Sequence, residues 1–194
     1  MTRGGDNRTT PSVRVLGVDP GTAVTGWGVV ERRAGTVTHL AHGTVTTEAR
    51  WTLGAKLAAI HASLADLCRE WQPDVVALEQ NFVGRNVQSA FRIGEVRGIA
   101  LLAAATAGLT IAEYPPATVK LAVTGTGRAE KEQVQRAIAR ELRVVEPMVA
   151  DAADALAIAL CHLLSSRFSA ALAAASADVG STRGMAARRQ VGPR

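Results

Sequence analysis

The chain has 194 residues, 47% of them hydrophobic and 20% charged, a balance that excludes a disordered or fibrous polymer and suits one compact domain with tails. The formal charge is +5, but the ends carry it: residues 1–12 net +1, residues 167–194 net +4, and the body between them holds 15 basic against 15 acidic groups. The high isoelectric point therefore describes the tails and is weak ground for nucleic-acid binding.

Residues 1–12 and 169–194 read as a flexible N-terminal extension and a flexible Arg-rich tail, with one domain over 13–168. Val13–Asp19 is a short apolar run that stops at Asp-Pro-Gly, a strand followed by a turn. Val24–Glu31 and Thr36–Thr47 are rich in β-branched residues and joined by Arg-Arg-Ala-Gly, which with the first run predicts an antiparallel meander. Leu53, Leu57, Ile60, Leu64 and Leu67 fall on one face of an amphipathic helix. Asp74–Glu79 is an apolar strand of the buried, parallel kind.

From Val87 a long helix carries two apolar faces, one with Phe91, Leu101 and Leu102, the other with Ile93, Val96, Ala100 and Ala103. A helix apolar on two sides packs against two things, here the sheet and a candidate partner subunit. Leu109–Tyr114 is a further strand, followed by a Pro-Pro turn and a short helix. A loop at Gly125–Arg128 precedes a helix over 129–142, and Asp151–Phe168 is the last helix, with Leu156, Leu160, Leu163 and Leu164 as its stripe. Three antiparallel strands followed by βα units predict a mixed five-stranded α/β sheet with helices on both faces. Cys68 and Cys161 have neither disulfide nor zinc spacing and read as reduced thiols of an intracellular protein. The longest nearly apolar run, Gly98–Ala112, is too short to span a bilayer, so no membrane is expected.

Four carboxylates fall at special places. Asp19 ends the first strand and Glu79 the fourth, where open α/β sheets bind ligands. Asp151 and Asp154 share one face of the last helix's first turn. Each has an ordinary use: Asp-Pro-Gly is a common turn, and acids suit a helix start. Together they would repel one another unless a divalent cation intervened. All-oxygen ligands favour Mg²⁺ or Mn²⁺, and two such ions per site suit phosphodiester hydrolysis. Phe82, in a Gly- and Asn-containing segment, has the chemistry to stack on an unpaired base or to anchor a loop. Lys120 and Lys131, two of three lysines, together with Arg85 and Arg128, are candidate DNA contacts or plain solvated surface. His162 reads as a packing or surface residue, and His39, His42 and His61 show no partner pattern.

Four blocks carry a resemblance: Gly17-Val-Asp19-Pro-Gly-Thr22 with Gly26-Trp-Gly28; Ala77-Leu-Glu79-Gln with Asn86-Val-Gln-Ser-Ala90; Ala129-Glu-Lys131-Glu-Gln-Val134; and Ala150-Asp151-Ala-Ala-Asp154-Ala-Leu-Ala157. In order and spacing they resemble the RuvC family of Holliday junction resolvases over about residues 13–165. The resemblance implies a ribonuclease H-like fold and a homodimer that binds four-way junction DNA. It implies paired symmetric nicks made with Mg²⁺ or Mn²⁺, in recombination and repair. It aligns Asp19, Glu79, Asp151 and Asp154 with the metal-binding carboxylates, Phe82 with the aromatic inserted at the junction centre, and Lys120 and Lys131 with basic residues near the scissile strand. It places the helix from Val87 nearest the dimer axis. It also implies a branch-migration helicase and a junction-binding protein as partners, in a bacterial cytoplasm. Rivals are an actin-like ATPase, which needs two such lobes, a non-catalytic junction scaffold, and a hydrolase of RNA–DNA hybrids.

Overall fold

A two-residue turn at Ala34-Gly35, with φ of 51° and 84°, joins two long strands, because a tight hairpin takes left-handed backbone at both turn positions. The computed structural model describes residues 12–80, 87–145 and 147–165. The chain divides into a body ending at Leu163 and a C-terminal part from Leu164 that lies almost wholly outside the described residues, as do the extension through residue 11 and the 81–86 segment.

Strands β1 (Ser12–Asp19), β2 (Val24–Arg33) and β3 (Thr36–Thr46) form the expected meander. Helix α1 (Leu53–Trp71) then crosses over to β4 (Val75–Glu79), which pairs with β1 in parallel. Helix α2 (Val87–Thr106) leads to β5 (Thr110–Tyr114), parallel to β4. The sheet order is β3-β2-β1-β4-β5, the mixed five-stranded α/β sheet that the sequence predicts. Helices α3 (Pro116–Thr124) and α4 (Lys131–Glu141) follow, and a last helix, α5, runs over 150–165. The fourth helix starts two residues later than expected because Glu130 caps it, in a reciprocal capping box with Gln133.

Asp74 locks the parallel pair. Its carboxylate accepts from the Arg14 backbone N–H at 2.8 Å, and its own N–H donates to the Arg14 carbonyl at 2.9 Å. The register that results sets Val18 beside Leu78, so that Asp19 and Glu79 leave the same end of neighbouring strands.

Alternation divides the core. Leu16, Val18, Val76 and Leu78 face one side and meet Ile60, Leu64 and Leu67 of α1 and Val96, Ala100 and Ala103 of α2. Of the two apolar faces of α2, the one with Val96 and Ala100 is therefore the sheet side. Phe91 and Leu102, on the other, are 72% and 53% exposed. The opposite sheet face carries Val15, Gly17, Asp19, Ala77 and Glu79, and there α5 lies. Its expected single stripe was too narrow: besides Leu156, Leu160 and Leu163, the residues from Ala157 to Ala159 and Ala152, Ala153 and Ala155 are all buried.

Candidate active site

Small residues bring α5 down onto the strands. A Cβ on Gly17 would run into the Ala155 carbonyl and lie 2.9 Å from the Ala159 Cβ. A Cβ on Gly26 would run into the Asp151 carbonyl. The two glycines thus let the first turns of α5 touch β1 and β2, and this contact carries Asp151 and Asp154 to the strand ends.

The turn after Asp19 is held from below. Thr25, fully buried, donates its hydroxyl to the Gly21 carbonyl at 2.7 Å. Thr47 donates to the Thr22 carbonyl at 2.6 Å. Both threonines pin the turn that follows the first carboxylate. The sequence offers no signal for them, since a threonine in a strand usually reports only β propensity.

A cleft of about 270 Å³ opens there, lined by Asp19, Glu79, Asp154, Lys120, Lys131 and the apolar walls Pro116, Val119, Val134 and Ala157. Five sequence-predicted residues therefore share one cavity. Asp151 stands outside the lining but close enough for its charge to act on Asp19 and Lys131. Arg128 is exposed on the loop before α4 and does not line the cleft. Phe82 and Arg85 lie outside the described residues.

The electrostatics are those of crowded acids. Burial first, then the charges of Asp154, Glu79 and Asp151, push the Asp19 carboxyl up to about 7, with Lys131 opposing. Burial and Asp154 also raise Glu79, against Lys120. Lys131 Nζ pairs with Asp154 Oδ2 at 2.8 Å, and that hydrogen bond raises the lysine. Among the described residues, no three acids, imidazoles or thiols stand close enough to grip one ion as they are. The donor set nonetheless fits a hard divalent cation: all oxygen, mutually repelling, partly buried, with an ammonium already drawn in as counter-charge.

The histidines differ in outcome. His162 is the packing residue expected: its Nδ1 lies 2.7 Å from the Tyr114 hydroxyl, and burial and Arg32 hold it below the usual imidazole range. His39 and His42, expected to be unpaired, are partners at 2.9 Å. The register shifts between Val29 and Val30, so Leu40 is bulged out, and residues three apart come to share one face. Such a bulge leaves no mark in the residue pattern.

The model of the family described as crossover junction endodeoxyribonuclease RuvC matches residues 15–162, a span that holds all four carboxylates. The chain belongs to the RuvC family. It is 44% identical to the crossover junction endodeoxyribonuclease RuvC of Sorangium cellulosum, over 86% of this chain and 93% of that one. It is 42% identical to that of Syntrophomonas wolfei, over 88% and 100%. Among solved structures it is similar to Thermus thermophilus RuvC in complex with Holliday junction substrate, with a TM-score of 0.76, 34% identity, and coverage of 81% and 96%. The yeast mitochondrial Holliday junction resolvase shares the fold, with a TM-score of 0.60 at 15% identity. As a RuvC family member the chain is a divalent-metal-dependent endodeoxyribonuclease, which sets aside the ATPase and scaffold readings.

Proposed function

We propose that this RuvC family chain resolves Holliday junctions: it binds four-way junction DNA as a homodimer and nicks two strands symmetrically, in recombination and repair. The observation that carries this reading is the cleft whose lining Asp19, Glu79 and Asp154 share with Lys120 and Lys131. Asp19, Glu79, Asp151 and Asp154 would hold two Mg²⁺ or Mn²⁺ ions. Such ions, when bound, activate a water and stabilise the leaving 3′ oxygen.

The chain's own groups do the rest. Lys120 and Lys131 attract a strand's phosphate into an otherwise acidic cleft. Pro116, Val119 and Val134 wall the cleft with apolar surface beside it. Thr25 and Thr47 hold the Asp19 turn against the repulsion of its neighbours. Phe82 would stack on a base at the opened junction centre, and Arg85 and Arg128 would meet flanking phosphates. The exposed Phe91 and Leu102 of α2 supply an apolar surface for the second subunit. A cytoplasmic setting, with a branch-migration helicase and a junction-binding protein as partners, completes the proposal.

The test is a labelled, movable four-way junction incubated with Mg²⁺, Mn²⁺ or EDTA, with Asp19→Asn and Glu79→Gln beside the unaltered protein. Paired symmetric nicks that need metal are expected, with a loss of at least about 10³-fold in either variant. No preference for the junction over linear duplex or RNA–DNA hybrid would overturn the substrate.

A further inference from the structure

Helix α4 has a second polar side. Lys131 and Val134 look into the catalytic cleft, whereas Gln133, Arg136, Ala137 and Arg140 line a separate groove of about 400 Å³ with Thr124, Thr126 and Ala129. No carboxylate lines this groove. Arg136 and Arg140 are exposed, one turn apart, and neither forms an ion pair with a carboxylate among the described residues. Gln133 spends its amide oxygen on the Glu130 N–H at 2.8 Å, which leaves the NH₂ end for a ligand. The Thr124 hydroxyl donates to the Lys120 carbonyl at 2.8 Å, so the groove offers two guanidinium forks, an amide and the Thr126 hydroxyl, a set of donors without a competing acid. That chemistry selects an anion with several oxygens, and guanidinium forks match phosphate best.

We propose that this groove seats backbone phosphates of an arm of the same DNA whose strand is cut on the other side of α4. The inference rests on the resolvase reading. It extends that reading from the cut site to the flanking duplex. Arg136 and Arg140 lie five and nine residues beyond Lys131, about 7.5 and 13.5 Å along the helix axis, and on the far side of the helix from it, so they reach a part of the DNA other than the scissile phosphate.

The double variant Arg136→Gln/Arg140→Gln tests it, against a charge-matched control, Arg33→Gln/Arg69→Gln, whose arginines are 64% and 78% exposed on other elements. Junction affinity is measured across salt, and ethylation interference maps the phosphates used. The groove variant is expected to bind junction about tenfold to a hundredfold more weakly at 0.1 M salt, with the slope of log K against log salt reduced by about 2. Interference at phosphates of one arm, away from the nick, should vanish in it and persist in the control. Equal slopes and footprints in both variants would overturn the groove while the unaltered protein's nicking kept the resolvase reading intact. Failure of the unaltered protein to nick junctions would sink that reading instead. Stabilisation by pyrophosphate that the groove variant loses, with junction binding unchanged, would assign the groove to a free anion and overturn the DNA assignment.

Discussion

The two faces of the one sheet are built from opposite materials. Toward α1 and α2 the strands present Leu16, Val18, Val76 and Leu78, large side chains that interlock with Ile60 and Leu64. Toward α5 they present Val15 but also Gly17, Gly26, Ala77 and two carboxylates, and α5 answers with alanines between its leucines, Ala155 and Ala159 at the closest approach. The first face stabilises by burying apolar volume, whereas the second trades volume for proximity. Its backbones nearly touch, which is how four acids from two strands and a helix come within electrostatic reach of one another. The comparison teaches that removing bulk from one face and adding bulk to the other should both cost stability, but only the second should damage the site.

The largest expected effect follows from that contrast. Gly17→Val places carbon against the Ala155 carbonyl and Ala159, and backbone cannot swing aside as a side chain does. A loss of about 3 kcal/mol or more is expected, with α5 displaced. Leu64→Ala, 2% exposed, should cost a comparable ~2–5 kcal/mol through a cavity on the far face. Denaturant melts and nicking rates, taken at temperatures where each variant is folded, separate the two. The glycine variant should cut at least about a hundredfold more slowly, because even small misplacement of catalytic groups costs that much. The leucine variant should keep its activity per folded molecule. Equal activity in both would mean that close approach of α5 is not what assembles the site.

How much of this was legible in the residues follows the same division. The face toward α1 and α2 is written in periodicity: the leucine spacing of α1 and the apolar run of β4 predict it without further help. The acids could be read as well, because strand ends and a helix start are special positions in any open α/β sheet. What could not be read depends on pairs distant in sequence. Gly17 against Ala155, Thr47 against the Thr22 carbonyl, and Lys131 against Asp154 are each set by the register and by where α5 lands. The His39–His42 pair hides for a related reason, since a one-residue bulge inverts the face that simple alternation assigns. The breadth of the α5 burial escaped because alanine reads as filler on every side of a helix until two surfaces close on it.

The crowded acids should also show as a pH dependence, of intermediate size. In the metal-free protein Asp19 titrates near 7 instead of its ordinary 3.8, so the folded state binds a proton more readily than the unfolded chain between those values. Stability from this group is complete below about pH 4 and is lost as pH rises through 7. Glu79, raised for the same causes, adds in the same direction. The melting temperature in EDTA should therefore fall from pH 5 to pH 8, by an amount worth at most a few kcal/mol. Asp19→Asn should flatten that fall. Saturating Mg²⁺ should oppose it, because binding draws on the deprotonated form. His39 and His162, both held below the ordinary imidazole range, pull the melting temperature the other way, so the decisive comparison is with the variant: a pH profile that Asp19→Asn leaves unchanged would show that the acids are not crowded in solution.

The smallest effect separates two roles of one lysine. Lys131 is half exposed, and its pair with Asp154 is therefore worth only ~0–1 kcal/mol to the fold. Its larger influence is on what else Asp154 can hold. The ammonium occupies an oxygen that a cation would use and adds a positive charge that repels one. Lys131→Gln should leave the melting temperature in EDTA nearly unchanged and tighten Mn²⁺ binding, read by calorimetry without DNA, by a few-fold and less than about tenfold. The same variant should nick junctions more slowly, having lost a phosphate contact beside the cut. Metal affinity and cleavage rate would then move in opposite directions for one substitution. If Mn²⁺ binding weakened instead, Lys131 would be ordering the carboxylates for the metal, and the ion pair would belong to the assembled site rather than stand in its place.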